Sequence, residues 1–146
     1  MKTVFVAAAT ACALVAGAAL ADDTPDLVTV ISTADAQSQL MGMVLTMQAV
    51  QQGATAHILL CGPAADIALR DGAPDSATAP QPPRGMSPRG LMQTILDKTP
   101  TKAEVCAIYL PGKGLDAAAL MDGVTPAKPD EMATRLLGEN TRILSF

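Results

Sequence analysis

The chain has 146 residues, ten of them basic and fourteen acidic, for a formal net charge of −4. The basic residues form no run, which argues against nucleic acid or an anionic membrane surface as a partner. With no tryptophan, one tyrosine and two phenylalanines, the core must be built from Leu, Val, Ile, Met and Ala.

The N-terminus predicts the compartment. Lys2 gives a minimal positive start, an Ala- and Val-rich run extends from Val4 to Leu20, and Ala19-Leu20-Ala21 closes it in a small-x-small pattern ahead of Asp22 and Asp23. This is the layout of a signal peptide cleaved after Ala21, so the expected location is periplasmic or secreted. The run is too short and too Ala-rich for a spanning helix, which needs roughly 20 strongly apolar residues. Cys12 lacks the Leu-like residue three positions earlier that a lipoprotein cysteine carries. No later stretch is long enough to span a bilayer, so no membrane association is expected after cleavage. Residues 22–146 then make one domain around one core.

Along that domain, Leu27 to Thr33 is β-branched and bounded by Pro25 and Asp35, which predicts a strand. From Gln37 to Gln52 there is no proline, and Leu40, Met41, Val44, Leu45 and Gln48 share one helical face, with Gly53 as the stop. Met43, Met47 and Val50 widen its apolar surface beyond one core face, which predicts a homo-oligomer. Thr55 to Cys61 is almost continuously apolar, as a strand covered on both faces should be. Ala64 to Arg70 reads as a short helix.

Residues 71–90, with five prolines and several glycines, read as a long loop of the kind that is functional or mobile. Ser87-Pro88 is an N-cap and first-turn proline opening a helix through Leu91, Met92, Ile95 and Leu96. Ala103 to Leu110 reads as a third strand, Leu115 to Met121 as a short helix, Pro129 to Leu137 as another, and Thr141 to Phe146 as the last strand. Alternating strands and helices predict an α/β fold, a three-layer α/β/α sandwich on a mainly parallel sheet of four to five strands. Sites in such folds gather outside the carboxyl ends of the strands, here Thr33–Asp35, Cys61–Pro63 and Tyr109–Gly114.

Few residues there carry chemistry. Cys61 ends its strand beside Gly62-Pro63. Cys106 lies within the predicted strand Val105-Cys106-Ala107-Ile108, where a cysteine ordinarily packs as an inert core residue; a reactive role requires a lowered pKa and access. His57 shares a sheet face with Cys61 but lies about 13 Å along it, too far for a common ligand set, and reads as a satisfied core or edge residue. Met41, Met43 and Met47 with Cys61 offer soft donors for Cu(I), although methionines at helical spacing ordinarily fill a core or a subunit interface. Gly112-Lys113-Gly114 is too short for a phosphate loop. Arg84 and Arg89 lie near a helix start where an anion can bind, against the plainer reading of a solvated loop. No cofactor or resident metal is expected, and with one histidine a hydrolytic triad is unsupported.

A resemblance adds to this reading. The strand, the methionine-rich helix ending in Gln51-Gln52-Gly53, the run His57-Ile58-Leu59-Leu60-Cys61-Gly62, and the helix Leu91 to Leu96 leading to Ala103-Glu104-Val105-Cys106-Ala107 resemble the DsrE/DsrF-like family of small sulfur-relay proteins. Gly114 to Val124 and Arg142 to Phe146 are similar to the segments that follow, so the likeness covers nearly all of residues 22–146. It implies that Cys106 stands where family members hold a persulfide, with Cys61 as helper, and that the partner is a sulfur donor or acceptor protein or a small thiol. The export signal and the proline-rich loop depart from that pattern. Two cysteines in an oxidising compartment also invite a disulfide, and the resemblance implies that their strands are neighbours. A bridge directly across neighbouring parallel strands would be strained, so free thiols are the preferred expectation. The competing class is a binding or assembly module with structural cysteines; a copper carrier is the third.

Overall fold

The computed structural model describes residues 24–146; the signal-peptide reading of residues 1–21 lies outside the described residues. Five strands form one sheet in the order β4-β3-β2-β1-β5. They are β1 (Asp26–Ile31), β2 (Thr55–Leu60), β3 (Lys102–Val105), β4 (Val124–Pro126) and β5 (Thr141–Ser145), and every neighbouring pair is parallel. Parallel strands need crossovers. Helices α1 (Ala36–Gln51) and α3 (Pro88–Lys98) supply those on one face, and α5 (Pro129–Leu136) covers the other as the chain returns from β4 to β5. Two short helices, α2 (Asp75–Thr78) and α4 (Tyr109–Lys113), lie in the connections. This is the expected three-layer α/β sandwich.

The helix starts follow the local chemistry foreseen. Asp35 caps α1 by accepting from the Ser38 amide at 2.8 Å, and Ser87 caps α3 by accepting from the Gly90 amide at 3.1 Å, with Pro88 at the first helical position. Pro129 opens α5, and Asp130 and Glu131 in its first turn complement the helix dipole.

Successive side chains on a strand face opposite sides, and β2 sorts accordingly. Ile58 and Leu60 join Ile31, Met43, Ile67, Met92 and Ile95 in the larger core under α1 and α3, while Leu59 joins Val28, Ala127 and Met132 under α5. Burying each large aliphatic side chain contributes about 1.5–3 kcal/mol, so the first face carries most of the stability. Within it the buried hydroxyls of Thr29 and Thr46 pair at 2.7 Å, linking β1 to α1. Among the described residues no helix is long and apolar enough to cross a membrane.

Four local readings change. The third strand stops at Val105 instead of Leu110, and Tyr109 to Lys113 is helical. Beyond Val105 there is little to pair with. The neighbouring β2 turns away at Gly62 (φ +53°), whose left-handed backbone suits glycine, and β4 is three residues long. The Cys106 amide makes the last ladder bond, to the Leu60 carbonyl at 2.8 Å, and the chain then turns, the Tyr109 amide donating to the Cys106 carbonyl. The helix read over Leu115 to Met121 is only a 3₁₀ turn, Ala117–Ala119, and Val124–Pro126, which the sequence assigned to no element, is the edge strand β4. The proline-rich segment is not wholly irregular: α2 occupies one turn of it over the buried Ala77, and Gln81 and Met86 pair antiparallel to close a turn.

Candidate functional site

The two cysteines of the described chain meet at the centre of the sheet's carboxyl edge. β2 and β3 are in register with Leu60 opposite Val105, so the next residues, Cys61 and Cys106, stand side by side. They form a disulfide with a Cα–Cα separation of 5.1 Å, inside the range that a bridge tolerates. Free thiols were expected because a bridge squarely across parallel strands is strained. The early end of β3 removes that objection: both cysteines lie just past their strands, where the backbones are leaving the ladder. Each is half-buried, neither sealed in the core nor fully exposed. Cys106 is thus at the strand's end and not within it.

The segments that leave the bridge are tied together again a few residues on. Asp66, in the 3₁₀ turn Gly62–Ala68 that follows Cys61, accepts through one carboxylate oxygen from the Tyr109 hydroxyl at 2.6 Å and from the Lys113 ammonium at 2.5 Å. Lys113 also sits 5.4 Å from the centre of the Tyr109 ring. Burial works to raise the Asp66 pKa, but the hydrogen bonds from Lys113 and Tyr109 outweigh it and hold the carboxyl below its ordinary range. The Tyr109 phenol is pushed well up, first by burial and then by the Asp66 carboxylate it donates to. Sequence reading placed Tyr109 and Lys113 on this rim but missed their partner. Asp66 stands five positions after Cys61 and Tyr109 three positions after Cys106, a coupling invisible until the strands are paired.

On the α5 side a small pocket of about 270 Å³ adjoins the bridge, bordered by Cys106, Ile108, Ala127, Met132, Ala133 and Leu136. Apart from Cys106 none of its lining residues is ionisable, and Ile108 at its edge is 83% exposed. Below it on the same face, His57 Nε2 lies 2.6 Å from Glu104 Oε2. His57 is therefore the satisfied core residue expected, with Glu104 as the partner that spacing could not identify.

The other sequence candidates are not brought to the bridge. Met43 and Met47 pack in the core under α1, whereas Cys61 packs against the α5 cluster. Among the described residues no group of three His, Cys, Asp or Glu side chains is placed to hold a metal ion. Met41 and Arg84 line a groove of about 540 Å³ between α1 and the proline-rich segment. Arg89 donates to the Leu69 carbonyl at 2.6 Å, so its guanidinium is at least partly engaged in holding the 3₁₀ turn to α3.

No family profile and no curated protein sequence matches the chain. Solved structures do. The ychN protein from E. coli superimposes with a TM-score of 0.65 at 20% identity, over 84% of this chain and 100% of that one. MTH1491 from Methanobacterium thermoautotrophicum, described as a protein of unknown function, superimposes with a TM-score of 0.60 at 13% identity, over 84% of this chain and 99% of that one. At these identities the likeness is one of fold.

Proposed function

We propose that this is an exported, periplasmic DsrE/DsrF-like protein that handles sulfur through Cys106, with Cys61 as its disulfide partner. The observation that carries the reading is the Cys61–Cys106 bridge at the carboxyl ends of two adjacent central strands, where α/β folds place their chemistry. The fold shared with the two solved structures supports the family level of the proposal.

The chemistry is a short cycle of thiol–disulfide exchange. A dithiol reductant opens the bridge, its two thiols becoming a disulfide as Cys61 and Cys106 become thiols. The Cys106 thiolate then attacks the outer sulfur of a donor persulfide, R–S–SH. The Cys106 S–S bond forms, the donor S–S bond breaks, and the donor leaves as R–S⁻. An acceptor thiolate takes the outer sulfur from Cys106 in the same way. Alternatively, the Cys61 thiolate attacks Cys106 Sγ, which re-forms the bridge and expels HS⁻. No metal or cofactor enters any step.

Intact mass and alkylation of the native protein, before and after mild reduction, test this. The reading requires a starting mass two hydrogens below that of the dithiol, rapid alkylation of Cys106 after native reduction, and a reducible adduct of one sulfur on Cys106 after exposure to a persulfide. A bridge reduced only in denaturant favours the second reading, a binding or assembly module stapled by a structural disulfide; the half-burial of both cysteines is what keeps that reading open. In either case we place a homo-oligomeric contact on α1, where Met41 and Leu45 remain exposed beside the groove; sedimentation of Met41→Glu against the parent chain tests it.

A further inference from the structure

Of the two bridged cysteines, only Cys106 borders the apolar pocket under α5. The direction of approach matters for this chemistry, because a thiolate attacks a disulfide sulfur in line with the bond it breaks, and the sulfur attacked determines which cysteine leaves. A nucleophile entering through the pocket meets Cys106, and Cys61 becomes the leaving thiolate. The pocket also limits what can enter. It is a shallow depression of about 270 Å³ open to solvent, so its apolar lining, more than its size, does the selecting. Its walls are Leu, Ile, Ala, Met and Pro side chains around the cysteine, with no group to pair a buried charge.

Building on the sulfur-handling reading above, we infer that this pocket admits low-molecular-weight thiols and persulfides that carry no charge besides that of the reacting sulfur, and directs them onto Cys106. In the entry step R–S⁻, its proton already lost to solvent, forms a bond to Cys106 Sγ. The Cys106–Cys61 bond breaks, Cys61 departs as a thiolate and takes up a proton from water. The product is a mixed disulfide on Cys106 that Cys61 later resolves by the reverse displacement. Ala133 lines the pocket yet is exposed on α5, so its side chain can be exchanged with little risk to folding.

The experiment measures the rate of bridge opening in the purified protein by two probes of equal chain length, neutral 2-mercaptoethanol and anionic 2-mercaptoethanesulfonate. Peptide mass mapping then locates the adduct. The parent should favour the neutral thiol and carry the adduct on Cys106. Ala133→Lys should speed the anionic probe by about tenfold and Ala133→Glu slow it by a similar factor, with the neutral probe, which reacts as a singly charged thiolate, shifted the same way but by clearly less. Gln51→Lys, on α1 across the sheet, controls for net charge and should do neither. An adduct on Cys61, or Ala133 variants that behave like Gln51→Lys, overturns the pocket assignment while leaving the sulfur-handling reading intact. A bridge that neither thiol opens without denaturant overturns both.

Discussion

His57 and Glu104 are joined across β2 and β3 on the α5 face, Nε2 to Oε2 at 2.6 Å, with only 4% and 17% of their side chains exposed. Burial drives the His57 pKa below its ordinary 6.5; the Glu104 hydrogen bond and charge pull it back up, and the Arg135 cation pushes it down again. Asp26, which pairs with Arg135 at 3.2 Å, adds a smaller upward pull.

A depressed histidine makes the folded state sensitive to acid. Between the lowered native value and 6.5 the unfolded chain binds more protons than the folded one, so stability rises with pH there and falls as pH drops through the native value. Above 6.5 the contribution is fully present. Thermal midpoints measured across this interval should decline on acidification, and His57→Gln should flatten that slope whatever it costs at neutral pH. An unchanged slope in the variant would assign the acid sensitivity to other groups.

The bridge closes a long loop, with 45 residues separating its cysteines. Chain-entropy reasoning gives about 4 kcal/mol of stabilisation for a loop of this size. Cys61→Ser and Cys106→Ser should each lower the urea midpoint by close to the same amount, and reductant should bring the parent to their level without affecting them. If the dithiol form is within ~1 kcal/mol of the disulfide form, the bridge contributes little to the fold, a poor match to a structural staple.

How much of this was legible in the chain depended on the range of the interaction. The caps at Asp35 and Ser87, the strands 26–31 and 55–60, and the layered α/β order are local or periodic, so the sequence carried them. The end of β3 was not legible, because the apolar run Ala103 to Leu110 contains no breaker before Pro111; what stops the strand is the loss of its neighbour at Gly62. The same error hid the disulfide, since a cysteine thought to lie mid-strand had no easy geometry for a bridge. Asp66 and Glu104 were missed for the related reason that their partners lie 43 and 47 residues away.

Gly42 sets how closely α1 approaches the sheet. A Cβ there would lie 2.8 Å from Cδ1 of Ile31 and 3.3 Å from Cδ2 of Phe146. Alanine improves helix propensity by about 1 kcal/mol, but overpacking of this kind costs about 1–3 kcal/mol. Ile31 can yield only partly, because it is fully buried among the core side chains. Gly42→Ala should therefore be destabilised by about 1 kcal/mol and Gly42→Val by more, read from urea midpoints. A stabilised Gly42→Ala would show that α1 has room to move outward.

Tyr109 provides a spectroscopic view of the rim beside the bridge, because it is the only tyrosine and there is no tryptophan. Its phenol is 7% exposed as a residue and donates to Asp66 at 2.6 Å. Ionising it would put a second negative charge beside the Asp66 carboxylate and leave a buried oxyanion, so its titration is displaced far above the ordinary value of 10.0. Ultraviolet titration of the native protein should show almost no tyrosinate until well beyond that value. Asp66→Asn removes the charge while keeping an acceptor, so the transition should move down toward the ordinary value and remain somewhat raised by burial. The same substitution breaks the Lys113 ion pair, part of which is solvent-screened, and should cost about 1–2 kcal/mol of stability. An Asp66→Asn titration indistinguishable from the parent would mean that burial alone holds the phenol neutral, and that Asp66 does not tie the segment after Cys61 to the one after Cys106.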